Sequence, residues 1–142
     1  MQSESKSSGL NTASSCAAII VAAGSGRRAA TRNSPLSKTR AERRTPLMAK
    51  QFWQLGSKMV LAHSLDYFCA HPQIAVIILV LPESKISLIK STIVAAETPV
   101  HLVCGGVTRQ DSVRAGLDAL AALQNCNKIT HVAIHDAARP LI

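Results

Sequence analysis

The chain has 142 residues, 47% of them hydrophobic but only 3% aromatic, and a formal charge of +8. That length and apolar content provide for one domain with its own core and do not ask for a second. Apolar mass drawn from Ala, Val, Leu and Ile suits parallel strands covered by helices better than a β-sandwich, and the scarcity of rings argues against recognition by base stacking.

Residues 1–15 are Ser-rich and polar and read as a flexible N-terminal extension; residues 16–142 read as the folded domain. Cys16 to Ala23 is a continuous apolar run stopped by glycine, the pattern of a buried strand. It is too short for a membrane span, and it ends in Gly-Ser-Gly-Arg-Arg, unlike a signal peptide. From Gly24 to about Gly56 the chain is rich in Arg, Ser, Thr and Pro, and Pro35 and Pro46 argue against a long helix. The stretch is too long for an ordinary connection and reads as functional or partly disordered. The charge concentrates here: residues 1–58 carry ten Lys/Arg and two acids, the remaining 84 six of each. Arg27, Arg28, Arg32, Lys38, Arg40, Arg43, Arg44 and Lys50 surround the glycine loop, a local field for a polyanion such as a triphosphate. A basic loop with weak affinity for nucleic acid is the open alternative.

From Lys58 to Ala70, Leu61, Leu65 and Phe68 recur at helical spacing and Pro72 closes the segment. Ile74 to Leu81 is an eight-residue apolar run, the mark of a central strand buried on both faces. A helix is expected from Ser84 to about Ala96, then a strand from Val100 to Cys104. Thr108 and Asp111 form a capping box, and Val113, Leu117 and Leu120 give the expected inward stripe of a helix reaching about Leu123. His131 to His135 is the last strand. This alternation requires right-handed crossovers and predicts an α/β fold, a Rossmann-like, largely parallel sheet with helices on both faces. Cys16, Cys69, Cys104 and Cys126 contain no C-x-x-C pair, so free thiols in a reducing cytoplasm are the simplest reading. His63, His71, His101 and His131 lack metal-ligand spacing.

Gly24-Ser25-Gly26-Arg27-Arg28-Ala29 satisfies the G-x-G-x-x-A form of the dinucleotide fingerprint but lacks its context. A basic, Pro-containing stretch follows instead of an immediate helix, and the first acid after a second strand is Glu83. A Walker A loop fails too, for want of Gly-Lys-Ser/Thr. What remains is a loop whose amides can approach phosphate without a Cβ in the way, or a plain turn. Near the other end, Asp136 stands at the carboxyl edge of a strand, where open α/β sheets build their sites. An Asp-Arg pair fixing a turn is the structural alternative.

Three ordered segments resemble the motifs of the 2-C-methyl-D-erythritol 4-phosphate cytidylyltransferases. They are Ala22-Ala23-Gly24-Ser25-Gly26-Arg27-Arg28, Gly105-Gly106-Val107-Thr108-Arg109-Gln110-Asp111-Ser112-Val113, and Ile134-His135-Asp136-Ala137-Ala138-Arg139-Pro140. The resemblance implies a fold of the nucleotide-diphospho-sugar transferase type. It also implies transfer of CMP from CTP to 2-C-methyl-D-erythritol 4-phosphate, a phosphorylated polyol, with release of pyrophosphate, a step of non-mevalonate isoprenoid precursor synthesis. It carries Ala22, Ala23, Gly24, Gly26 and Ala137 over as nucleotide-binding positions, and Arg28 as the arginine at the reacting phosphates. Ala49-Lys50-Gln51-Phe52 matches the family's Pro-Lys-Gln-Tyr/Phe, and Lys50 takes the role of stabilising the pentacoordinate α-phosphorus. Gly106, Arg109 and Ser112 correspond to the cytosine and ribose pocket, although Ser112 could equally bond its own helical turn. Asp136 corresponds to the ligand of Mg²⁺ or another divalent cation, which suits a hard oxygen donor that needs few protein ligands beside phosphate.

The sequence departs from the family in three ways. Alanine stands in the proline position before Lys50, Val107 replaces the usual acid, and the long spacing from Gly26 to Lys50 indicates a basic insertion at about 29–48. Doubling a loop's length costs only about 0.6 kcal/mol, so Lys50 can still reach the phosphates. The likeness covers the N-terminal part of the family alone. The part beyond it is implied to carry the acceptor pocket, a second metal-binding acid, another catalytic lysine and the dimer arm. Little transferase activity is therefore expected of this polypeptide, and the homodimer of full-length members is not expected for it. A transferase for another sugar or polyol phosphate, a non-catalytic nucleotide-binding fragment and a nucleic-acid-binding module are the competing readings; no membrane partner is expected.

Overall fold

The two most apolar runs of the sequence lie side by side at the centre. In the computed structural model the described residues are 15–24, 49–93, 97–124 and 126–140. Among these residues six strands, β1 (Ser15–Val21), β2 (Gln54–Leu55), β3 (Lys58–Met59), β4 (Ile74–Leu81), β5 (Val100–Cys104) and β6 (Ile129–Asp136), alternate with α1 (Val60–Ala70), α2 (Glu83–Thr92) and α3 (Arg109–Ala121). The main sheet has the order β5-β4-β1-β6, and every pairing in it is parallel. β1 and β4 occupy its middle, which is why Ala17 to Ile20 and Val76 to Leu81 are buried without alternation. The expected α/β class, with a parallel sheet and helices on both faces, holds.

Each face has its own core. Ala18, Ile20, Ile77, Leu79 and Leu81 pack with Phe52, Leu61 and Phe68 and with Ile89 of α2, while Ala17, Ile19, Val76, Ile78 and Val80 pack under Leu120 of α3. The chain steps from β1 to β4 to β5 with helices on one face, then returns past β1 to β6 with α3 on the other. The strand order therefore reverses between β1 and β6, which makes that crevice the topological switch point. Register brings the strand ends level there, with Val21 opposite both Val80 and Asp136, and Leu81 opposite Cys104.

The first strand ends at Val21 instead of Ala23, and four further details differ from expectation. The helix expected from Lys58 begins at Val60, because Lys58 and Met59 pair with Gln54 and Leu55 in a small antiparallel hairpin. Its turn uses Gly56 at φ 66° with no positive φ at Ser57, the pattern of a two-residue type II′ loop. α2 runs over Glu83–Thr92 and the last strand is longer at both ends. The inward stripe of α3 is Ser112, Gly116 and Leu120, not Val113, Leu117 and Leu120; Leu117 is 41% exposed. Small residues win because α3 lies so close to β1 that a Cβ on Gly116 would stand 2.7 Å from Ile19 Cγ2. Cys16, Cys69 and Cys104 are free thiols, and no helix among the described residues is long and apolar enough to cross a membrane. The basic insertion expected at about 29–48 lies outside the described residues.

Candidate functional site

Backbone hydrogen bonds extend the sheet past its last residues and so build the rim. Ala22 N–H donates to Val80 O (2.7 Å), Gly105 N–H to Leu81 O (2.9 Å) and Ala137 N–H to Val21 O (3.0 Å). The ends of β1, β5 and β6 are thereby held in one row. Ala22 and Ala137 have both their methyls in the core and their amides committed to the sheet, so they hold the rim together instead of facing outward.

Gly105 packs against Ala23 just beyond β1, and Gly106 against the start of α3, with no room for a side chain at either. A Cβ at Gly105 would lie 2.2 Å from Ala23 Cβ, and one at Gly106 2.2 Å from Asp111 Cβ. The loop is then stapled to the start of α3. Thr108 Oγ1 accepts from Asp111 N–H (3.0 Å) and Asp111 Oδ2 accepts from Thr108 N–H (3.0 Å), the expected capping box. Hydrogen bonds from the Thr108 hydroxyl and amide hold the Asp111 carboxyl below the usual carboxylate range. Ser112, buried, accepts from Gly106 N–H (3.2 Å) and donates to Thr108 O (2.9 Å). Its hydroxyl is spent on the loop, which is the local alternative left open by the sequence. Val107 is fully exposed.

Two distant motifs meet at Asp136. Arg109 Nε, in the first turn of α3, donates to Asp136 Oδ1 at 2.9 Å, and Arg139 Nε stands 3.8 Å from Oδ2. A carboxylate one-third exposed is thus flanked by two guanidinium groups at the switch point. Among the described residues no group of three or more His, Cys, Asp or Glu comes together. A phosphate-bridging Mg²⁺ keeps most of its shell as water and substrate oxygen and does not need such a cage. The lone carboxylate fits that use.

Behind Asp136 lies a buried polar contact that the sequence reading missed. Ser64 of α1 is fully buried and its Oγ stands 3.1 Å from His135 Nε2, with Arg139 O at 3.5 Å. The imidazole also packs on the Phe68 ring at 5.3 Å. Burial lowers the proton affinity of His135 more than the Arg139 backbone and the Asp136 charge raise it, which favours the neutral ring. The signal was available: a serine on the apolar stripe of a helix requires a partner.

The basic stretch returns to the rim at a 3-10 turn, Lys50–Phe52. Phe52 is buried, with Lys85 Nζ 5.6 Å from its ring centroid, and Gln51 is buried as well. Gln51 Nε2 donates to Ala22 O (2.7 Å) and Gly24 O (2.8 Å), which places exposed Lys50 beside the glycine segment. Of the residues singled out by sequence, Ala22, Ala23, Gly24, Lys50, Gly106, Arg109, Ser112, Asp136 and Ala137 therefore gather along one rim. Gly26 and Arg28 lie outside the described residues.

The family profile described as IspD: 2-C-methyl-D-erythritol 4-phosphate cytidylyltransferase matches residues 16–142. A 2-C-methyl-D-erythritol 4-phosphate cytidylyltransferase of Rhodopirellula baltica is 35% identical over 141 residues, covering 94% of this chain and 52% of that protein. A bifunctional enzyme IspD/IspF of Mesorhizobium japonicum is 35% identical over 126 residues, covering 89% of this chain and 26% of that protein. The crystal structure of 4-diphosphocytidyl-2C-methyl-D-erythritol synthase from Anaerococcus prevotii superposes with a TM-score of 0.63 at 25% identity, over 91% of this chain and 46% of that one. The chain thus spans about half, or less, of the length of these relatives.

Proposed function

The chain belongs to the 2-C-methyl-D-erythritol 4-phosphate cytidylyltransferase family, and on that premise we propose that its sheet rim binds CTP with a divalent cation and serves cytidylyl transfer to 2-C-methyl-D-erythritol 4-phosphate. In that reaction an oxygen of the acceptor phosphate attacks the α-phosphorus in line. The bond to the β-phosphate oxygen breaks, and pyrophosphate leaves with the electron pair. Such chemistry asks a protein for positioning and charge neutralisation more than for proton transfer.

The chain's own residues divide that work. The Ala23-Gly24 segment and Gly26 would lie along the triphosphate, where small residues leave room for phosphate oxygens. Lys50 and Arg28 would balance the charge that grows on the α-phosphoryl oxygens as the bond to pyrophosphate lengthens. Gly106 and Arg109 would meet the nucleoside side, with Ser112 holding the Gly106 loop in place. Asp136 would hold Mg²⁺ or a similar hard cation, which when bound neutralises phosphate charge.

The observation that carries the reading is the Arg109–Asp136 contact, because it joins the second and third motifs at the switch point where ligands of open α/β sheets bind. Calorimetric titration of the chain with CTP in the presence of Mg²⁺ tests it. One CTP per chain is expected, accompanied by a rise in Tm and by weaker binding of GTP. A folded sample that gives neither heat nor a Tm shift with CTP rejects the proposal. Binding to duplex DNA that collapses with salt and ignores CTP would favour the nucleic-acid module instead.

A further inference from the structure

Gln51 makes the most constrained polar contact at the rim, and its partners are a segment that precedes it by 27 and 29 residues. Both partners are carbonyl oxygens, so the amide nitrogen must face them and both of its N–H groups are used. Ala22 and Gly24 present their carbonyls to the same side, as alternate residues of extended backbone do. Ala22 N–H is also bound on the β4 side, whereas Val21 O faces β6 through Ala137. Ala23 lies between the two clamped carbonyls. Phe52 anchors the same 3-10 turn in the core, so Lys50 has little freedom at its origin.

Resting on the nucleotide reading above, we infer that Gln51 is a positioning residue: it fixes the Ala22–Gly24 backbone and Lys50 at one separation so that both meet the same triphosphate. The replacements nearest to it in size do not do this. Glutamate would set carboxylate oxygens against carbonyl oxygens, methionine fills the volume without a donor, and asparagine is one methylene short.

The test is a double-mutant cycle on CTP affinity with Mg²⁺, using Gln51→Met, Lys50→Ala and the pair. Partners that orient a metal ligand cost about 10–100-fold when removed, and by analogy about tenfold is expected for Gln51→Met, with a similar loss for the direct contact removed in Lys50→Ala. Because Gln51 acts partly through Lys50 and partly through the Ala22–Gly24 backbone, adding Gln51→Met to Lys50→Ala should weaken binding by clearly less than Gln51→Met does alone, whereas independent losses multiply. A merely structural role would lower the urea midpoint without this coupling. On the unmutated chain, the Gln51 side-chain amide should give two slowly exchanging proton signals that move when CTP is added. Wild-type-like affinity in Gln51→Met, multiplying losses, or a fast-exchanging amide indifferent to CTP each overturn the inference. If the unmutated chain binds no CTP, Lys50→Ala is silent too, and the nucleotide reading itself falls, taking this inference with it.

Discussion

Gly105→Ala adds one methyl where three elements of the rim meet. The new Cβ would stand 2.2 Å from Ala23 Cβ, 2.9 Å from Ser112 Oγ and 3.2 Å from Val80 Cγ1. Carbon atoms pack best at about 3.5–4.0 Å, so Ala23 and residue 105 must separate by about 1.5 Å. Neither side gives way cheaply. Ala23 has no rotamer to change, and its neighbours are held by Val80 O and by the Gln51 amide. Moving residue 105 away breaks its hydrogen bond to Leu81 O, and Val80 is fully buried. Overpacking of this kind costs about 1–3 kcal/mol, and a weakened buried hydrogen bond adds about 0.5–1.5. Lower entropy of the unfolded chain returns about 0.4–1 kcal/mol. A net destabilisation of about 1–3 kcal/mol is expected in urea denaturation, together with weakened CTP binding, because the Ala23-Gly24 segment must shift. Gly24→Ala is the matched control: an added Cβ there meets nothing within 4 Å, so stability should hold. Equal urea midpoints for Gly105→Ala and the parent would show the steric argument to be wrong.

Asp136→Asn should separate binding from stability. Its ion pairs involve guanidinium groups 59% and 78% exposed and are worth about 0–1 kcal/mol, while Mn²⁺-supported CTP binding should fall by about tenfold or more in an EPR titration. Unchanged cation dependence would remove Asp136 from the site. Ala49 stands where the family has proline, at φ −60° and ψ 144°, a backbone that proline adopts without strain. Ala49→Pro should therefore stabilise the fold by about 0.4–1 kcal/mol in thermal denaturation, and a loss of stability contradicts that. With its folded pKa depressed by Thr108, the Asp111 carboxyl gives the α3 cap stability that is present above the ordinary carboxylate pKa of about 3.9 and lost as pH falls through the lower folded value. A ¹³C titration of Asp111 with its midpoint at or above the ordinary value would refute this.

The parts legible in the sequence were those decided by neighbours along the chain. Eight apolar residues from Ile74 to Leu81 could only be a strand covered on both faces, and Thr108 with Asp111 declared a helix start through bonds three residues apart. Contacts set by tertiary packing were not legible. The face of α3 was misjudged because hydrophobicity favoured Leu117, whereas the close approach to Ile19 selects Gly116. The six-residue hairpin from Gln54 to Met59 offered only Gly56 as a sign. Ser64 and His135 are 71 positions apart, and nothing local in either motif names the other.

The same distinction explains how the rim tolerates departures from its family pattern. A site made largely of backbone groups depends on which amides and carbonyls are already taken, and side chains set that by closing the unwanted options. Gln51 occupies the carbonyls of Ala22 and Gly24, Ser112 occupies the Gly106 amide, and the sheet occupies the amides of Ala22 and Ala137. Replacing the usual acid by Val107 touches none of these, since that side chain lies wholly in solvent. Alanine for proline at position 49 leaves the turn in the backbone geometry that proline would impose, with Phe52 N–H still bonded to Ala49 O at 2.9 Å. A change that frees or blocks one of the committed groups, by contrast, re-aims the segment between Val21 and Gly24 even where no ligand is touched. Position 51 therefore carries a packing and hydrogen-bonding demand that exposed Lys50 beside it does not, although only the lysine carries charge.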